Sequence, residues 1–249
     1  MVQKKKNNFI RYIAITGILS ALSFVLQMLE FPLPMIIPTF IQFDFSDLPA
    51  LIAAFSMGPQ WGVLVAFIKN LVHLPMTSTA GAGEFANFLL SAVFVASAGA
   101  VYRIKRNRGG ALIGSLTGAF VMSLLSVPIN YFITYPVYYK AYHLTADIVL
   151  SLYQAIYPYV ESVHTALWIF NAPFNLVKGL VIAAIAFVIY KYISPLIKGV
   201  RPEENEARIF KRGMTFGDFM KAPLPPAIAW SLVIGALAAA AVIALNVWY

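Results

Sequence analysis

Apolar stretches of bilayer-spanning length recur along the whole chain, and this constrains the fold more than any other feature. The hydrocarbon layer of a membrane is about 30 Å thick, so a spanning helix needs about 20 mostly apolar residues. Such segments run from about Phe9 to Leu29, Glu84 to Tyr102, Gly110 to Thr134 and Trp168 to Ile193. Two shorter ones, about Asp47 to Met57 and Gln60 to Leu74, flank a Gly58-Pro59 turn. They are expected to form a hairpin whose polar ends are sheltered by neighbouring helices or line a cavity. A seventh segment spans about Pro226 to Trp248. Charged residues make up only 11% of the 249 positions, against about 25% in soluble domains. The expected fold class is therefore an all-α integral membrane protein, a helical bundle in one domain.

The basic residues give the orientation. Lys4, Lys5, Lys6 and Arg11 precede the first segment, and Arg103, Lys105, Arg106 and Arg108 join the fourth to the fifth. Lys191, Lys198, Arg201, Arg208, Lys211, Arg212 and Lys221 follow the sixth. Fifteen of the 18 Lys and Arg residues thus fall on one face of the membrane if the N-terminus is cytoplasmic. The net charge of +8 is accounted for by this placement and does not require nucleic acid. The first apolar stretch is too long for a cleavable signal, and no convincing small-residue cleavage site follows it. Residues 1–198 read as the membrane bundle, 199–225 as a charged cytoplasmic linker, and 226–249 as an additional transmembrane helix. The outer stretch from about Tyr135 to Leu167 is long for a bare loop, and its tyrosines suit a helix at the membrane surface.

Three basic residues remain: Lys140 in the outer stretch, and Lys69 and Lys178 inside apolar segments. A basic residue near the middle of a spanning helix costs about 2.5–3.5 kcal/mol on insertion scales, so it marks a functional site by default. Lys178 lies about ten residues past Trp168, roughly 15 Å of helix. That is deep for snorkelling to the headgroups, and a cavity-facing amine is expected, compensated by a captured ligand. Asn175 shares its helix face. For Lys69 the expectation is a structural ion pair with an acid such as Asp47, and for His73 an interfacial place.

Glu84 follows Gly81 and Gly83 at the start of the fourth segment. It either complements the positive end of the helix dipole or accepts hydrogen bonds from a ligand, and the two roles are compatible. Asn130, near the outer end of the fifth segment, serves interhelical bonding or a ligand. Tyr131, Tyr135, Tyr138 and Tyr139 around it suit an aromatic belt or a pocket wall. Glu84, Asn130, Asn175 and Lys178 all fall in the outer half of the membrane in this topology. Together they describe a small-molecule pocket open to the outside. The chain lacks cysteine, a G-x-x-x-x-G-K-[ST] loop, and the H-E-x-x-H and G-x-S-x-G motifs. A binding or transport role therefore outranks catalysis.

Four motifs then carry a resemblance: "FDFSDLPALIAAFSMGPQWGVLVAFIKNLVHL" (Phe43–Leu74), "GAGEFANFLL" (Gly81–Leu90), "PINYFITYPVYY" (Pro128–Tyr139) and "PFNLVKGL" (Pro173–Leu180). In this order they resemble the riboflavin-specific S-components of energy-coupling factor (ECF) vitamin transporters, over about residues 9–198. The resemblance implies a six-helix S-component in the cell membrane, with its N-terminus inside, that captures riboflavin from outside. Uptake would be driven by a transmembrane T protein and two ATPase subunits, with riboflavin as cargo and no resident cofactor or metal. It implies ligand contacts from Ala80, Gly83, Glu84, Asn130, Asn175 and Lys178, and a covering loop around Gln42, Phe43 and Asp44. It also implies T-protein docking through small residues of the first helix, here Gly17 and Ala21 with Ala14 and Ser20 nearby. Flavin mononucleotide or another vitamin is the alternative cargo; a membrane transferase and a non-binding scaffold are the alternatives outside transport. The seventh segment departs from the S-component pattern.

Overall fold

The computed structural model describes residues 2–77, 81–142 and 145–199. The expected linker and seventh helix fall at positions 200–249, outside the described residues, as does Ala80. The described chain is helical apart from one two-residue ladder.

Helix α1 (Val2–Gln27) leads through β1 (Phe31–Pro32) and β2 (Gln42–Phe43) to α2 (Asp47–Ser56) and α3 (Pro59–His73). These two short helices pack on each other as the expected hairpin and sit among α1, α4 (Ala82–Ile104) and α9 (Ala172–Gly199). Gly58 joins them at φ 120°, a backbone conformation that a Cβ disfavours.

Helix α5 (Arg108–Ile129) passes through a π-helical turn (Asn130–Thr134) into α6 (Tyr135–Tyr142). The fifth segment therefore extends beyond its expected end at Thr134, as a continuous apolar span of 33 residues. The sixth also starts earlier than expected. Helix α8 (Val163–Ala166) feeds a second π turn (Leu167–Asn171) and then α9. In both cases the sequence pattern is interrupted by proline and asparagine, yet the chain keeps turning by widening locally to i→i+5 hydrogen bonds. Between them α7 (Ala146–Gln154) is the helix expected in the outer stretch; it buries Val149 and Tyr153.

Among the described residues, four helices are long and apolar enough to cross a membrane: Ile10–Gln27, Ala82–Ile104, Arg108–Lys140 and Val163–Ile189. With α2 and α3 they form a six-helix bundle. Small residues set its closest approaches. A Cβ built on Gly114 would lie 2.6 Å from the Ala98 carbonyl oxygen, and one on Gly118 2.6 Å from that of Phe94. Helices α4 and α5 thus meet backbone to backbone, which hydrocarbon favours through van der Waals contact and not through water exclusion. The main core gathers around Leu51, Phe94, Met122 and Ile182, and a second, rich in tyrosine, around Tyr135, Tyr153 and Leu167.

Candidate functional site

The bundle holds a cavity of about 120 Å3. It is lined by Gln27 at the end of α1 and Glu30 just beyond it, Phe40, Ile41, Gln42 and Asp44 from the ladder loop, and Gly83, Glu84 and Asn87 from α4. Asn130, Thr134, Tyr135 and Tyr138 come from the fifth segment, and Asn171, Phe174, Asn175 and Lys178 from the sixth. Gly83, Glu84, Asn130, Asn175, Lys178, Gln42 and Asp44 thus come together.

Strand alternation explains the loop. Successive side chains of an extended segment point to opposite sides. Gln42 and Asp44 face the cavity, while Phe43 packs against Phe31, Phe45 and Phe174. The loop is pinned by these rings and by Phe40, whose ring meets Tyr135, Tyr138 and Tyr153.

Lys178 faces the hollow and is 5% exposed. Its compensation differs from expectation: the protein supplies it. Nζ lies 2.8 Å from Asp44 Oδ2 and 3.8 Å from Asp47 Oδ2. Lys69, fully buried, donates to Asp47 Oδ1 at 2.7 Å, the ion pair expected from the sequence. Ser46 links the two pairs, donating its hydroxyl to Asp44 Oδ1 and accepting from Lys69; its backbone N–H also reaches Asp44 Oδ1 at 2.7 Å. Ser91 donates to Asp47 from α4. Two ammoniums and two carboxylates therefore form one neutral, hydrogen-bonded network, which lets charge stay buried in a membrane protein. Asp44 uses only one of the three donors on Lys178, so the amine retains N–H groups for a guest.

Glu84 is held from two sides. His73 Nδ1 lies 3.1 Å from Oε1, and Thr77 donates to Oε2 at 2.7 Å. Gly81, at φ 83°, makes the turn that starts α4 three residues before it. His73 is thus buried behind the cavity wall, with Nε2 4.0 Å from Glu30 Oε1. Burial pushes the Glu30 carboxyl up from the usual range, against the opposing pull of His73.

The π turns bring the asparagines in. Asn130 begins one and Asn171 ends the other. Asn175 donates to the Asn171 carbonyl at 2.8 Å, which turns its own Oδ1 free of the backbone. Asn171 Oδ1 accepts from Tyr153 at 2.6 Å, and Tyr153 shares its hydroxyl with Tyr135. The lining therefore includes an aromatic cluster of Phe40, Tyr135 and Tyr138, joined to Asn171 through Tyr153, and a carboxylate cluster of Glu30 and Glu84 on either side of His73.

Gly17 and Ala21 are exposed on the outer face of α1, with no atom within 4 Å of a Cβ built on Gly17. Ala14 shares that exposure, whereas Ser20 is buried toward the bundle.

A family description, ECF transporter, substrate-specific component, matches residues 11–190. The chain belongs to this family. As a substrate-specific ECF component it is a multi-pass membrane protein of the transporter class, not of an enzyme family. Its sequence is 34% identical to the riboflavin transporter RibU of Staphylococcus aureus (strain TCH60), over 74% of this chain and 90% of that protein. It is 30% identical to the riboflavin transporter FmnP of Bacillus subtilis (strain 168), over 77% and 96% respectively. A solved S component of a bacterial ECF transporter aligns with TM-score 0.59 at 30% identity, covering 76% of this chain and 98% of that one. The S-component bundle thus accounts for the described fold, and the positions after residue 190 lie beyond the family match.

Sequence reasoning missed Gln27, Glu30, Asn87 and Asn171 as lining residues. Gln27 and Asn171 were visible as amides in apolar stretches, the same signal that marked Asn130. Glu30 sits just past an apolar segment, where a carboxylate is unremarkable.

Proposed function

We propose that the chain captures riboflavin from the outer side of the cell membrane and hands it inward in complex with an energising module. That module consists of a T protein and two ATPase subunits, and the N-terminus is cytoplasmic. The observation that carries this reading is the cavity in which Lys178, Asn130, Asn175 and Glu84 face one another beside aromatic rings. The S. aureus and B. subtilis relatives, matched over nearly their whole lengths, are riboflavin transporters.

The chemistry suits a flavin. Its flat tricyclic ring fits beside Phe40, Tyr135 and Phe174. Its imide edge alternates carbonyls with an N–H, which carboxamides such as Asn130 and Asn175 complement. Lys178 donates to a ring carbonyl or hydroxyl while keeping Asp44. Gly83 contributes backbone beside Glu84, and Ala80, outside the described residues, is kept as a further contact of this reading. The loop carrying Gln42, Phe43 and Asp44 covers the guest. The cavity volume of about 120 Å3 is below the roughly 300–1,000 Å3 of ligand pockets, so admission requires this loop to shift. Free riboflavin is favoured over flavin mononucleotide because the cavity's one lysine is already neutralised by Asp44, while Glu30 and Glu84 would repel a phosphate.

Gly17 and Ala21 offer the T protein a smooth helix face for close packing. The test is uptake of radiolabelled riboflavin into proteoliposomes. Accumulation should require this chain, the module and internal ATP together. Transport without the module, or none with it, would contradict the reading.

A further inference from the structure

Gln27 is the last residue of α1, lines the cavity and is 1% exposed. Its amide orientation is fixed by logic that starts from a backbone carbonyl. The Ala66 oxygen can only accept, and the Asn70 side chain meets it at 2.8 Å, so that end of the Asn70 amide is the NH2 group. Asn70 Oδ1 therefore faces Gln27 at 3.2 Å, and the Gln27 atom there is Nε2. What remains is Gln27 Oε1, a buried oxygen with no hydrogen-bond partner among the described residues. Buried acceptors are nearly always satisfied, because leaving one dry forfeits its hydration.

We propose that Gln27 Oε1 accepts a hydrogen bond from a ribityl hydroxyl of the bound vitamin, with Asn70 as the residue that positions it. This rests on the riboflavin reading above. The two clusters of the lining decide which part of the ligand is involved. Glu30 follows Gln27 by one turn and meets Glu84 through His73, so this cluster is rich in acceptors. A polyol chain brings several O–H donors to it. The flavin ring brings a single imide N–H and a large apolar face, which belong with the aromatic cluster of Tyr135, Tyr138 and Phe40. Gln27 therefore selects for the sugar-like tail, and the loss of a donor there leaves its oxygen dry again.

The test compares riboflavin with lumiflavin, the same ring bearing a methyl group in place of the ribityl chain, by fluorescence titration. Gln27→Met keeps the length of the side chain and removes the amide oxygen. It should weaken riboflavin binding roughly 5- to 100-fold and leave lumiflavin binding within twofold. Asn70→Leu should give the same selective loss, because the freed amide can turn its oxygen away; it carries the comparison if Gln27→Met does not fold. Riboflavin binding within twofold of wild type in both variants overturns the proposal. So does an equal loss for both ligands, which marks a packing role. If wild-type protein binds no riboflavin, both this proposal and the reading beneath it fall.

Discussion

Lys178 Nζ and Asp44 Oδ2, 134 residues apart in the chain, lie 2.8 Å from each other in the cavity wall. This contact ties α9 to the loop that lines the cavity, and it makes the loop's position a matter of charge pairing as well as packing.

Removing one partner should therefore hurt more than removing both. Asp44→Asn or Lys178→Met alone leaves a buried charge short of its counter-charge, at a cost of about 3–5 kcal/mol. The double variant restores neutrality and should unfold at a higher temperature than either single variant. Thermal unfolding in detergent without ligand checks this. Additive losses would mean that the two side chains do not act as a pair.

Asn130 should separate binding from stability. It is buried and lines the cavity, and the riboflavin reading gives its amide to the guest. Asn130→Leu should lower riboflavin affinity by about 1–3 kcal/mol while leaving the melting temperature of the empty protein nearly unchanged. A parallel fall in both would assign Asn130 to interhelical bonding.

Gly17 and Gly118 should respond in opposite ways. A Cβ on Gly118 meets the Phe94 carbonyl at 2.6 Å, so Gly118→Val should destabilise the bundle by about 1–3 kcal/mol or more. Gly17 faces open space among the described residues. Gly17→Trp should leave riboflavin binding and melting unchanged but reduce ATP-driven uptake. Loss of binding in Gly17→Trp would place this face inside the fold.

Tyr153→Phe should loosen the aromatic cluster. The hydroxyl it loses bridges Tyr135 and Asn171, and the cost should be about 0.5–1.5 kcal/mol of stability. Circular dichroism melts measure it, and an unchanged midpoint would show that the bridge contributes nothing.

The bundle was legible in the sequence because hydrocarbon leaves few options: with no water to satisfy the backbone, apolar length gives helices. The hairpin at Gly58-Pro59 and the Lys69–Asp47 pair followed from the same reasoning. The ends of the fifth and sixth segments did not, because proline and asparagine there are absorbed by π turns, which have no strong sequence signature. Lys178 was visible as an anomaly, but its partner was not. Asp44 lies in a loop, and no periodicity relates a loop carboxylate to a helix so distant in the chain. The partner of His73 was hidden for a similar reason: Glu84 arrives from another helix, across a turn.

The central claim is that this cavity receives riboflavin, and fluorescence titration of the purified chain tests it most directly. The account predicts saturable quenching at one riboflavin per chain, weakened more than tenfold in Lys178→Met. Folded wild-type protein that leaves riboflavin fluorescence unchanged, or a Lys178→Met variant that binds as tightly as wild type, would contradict it.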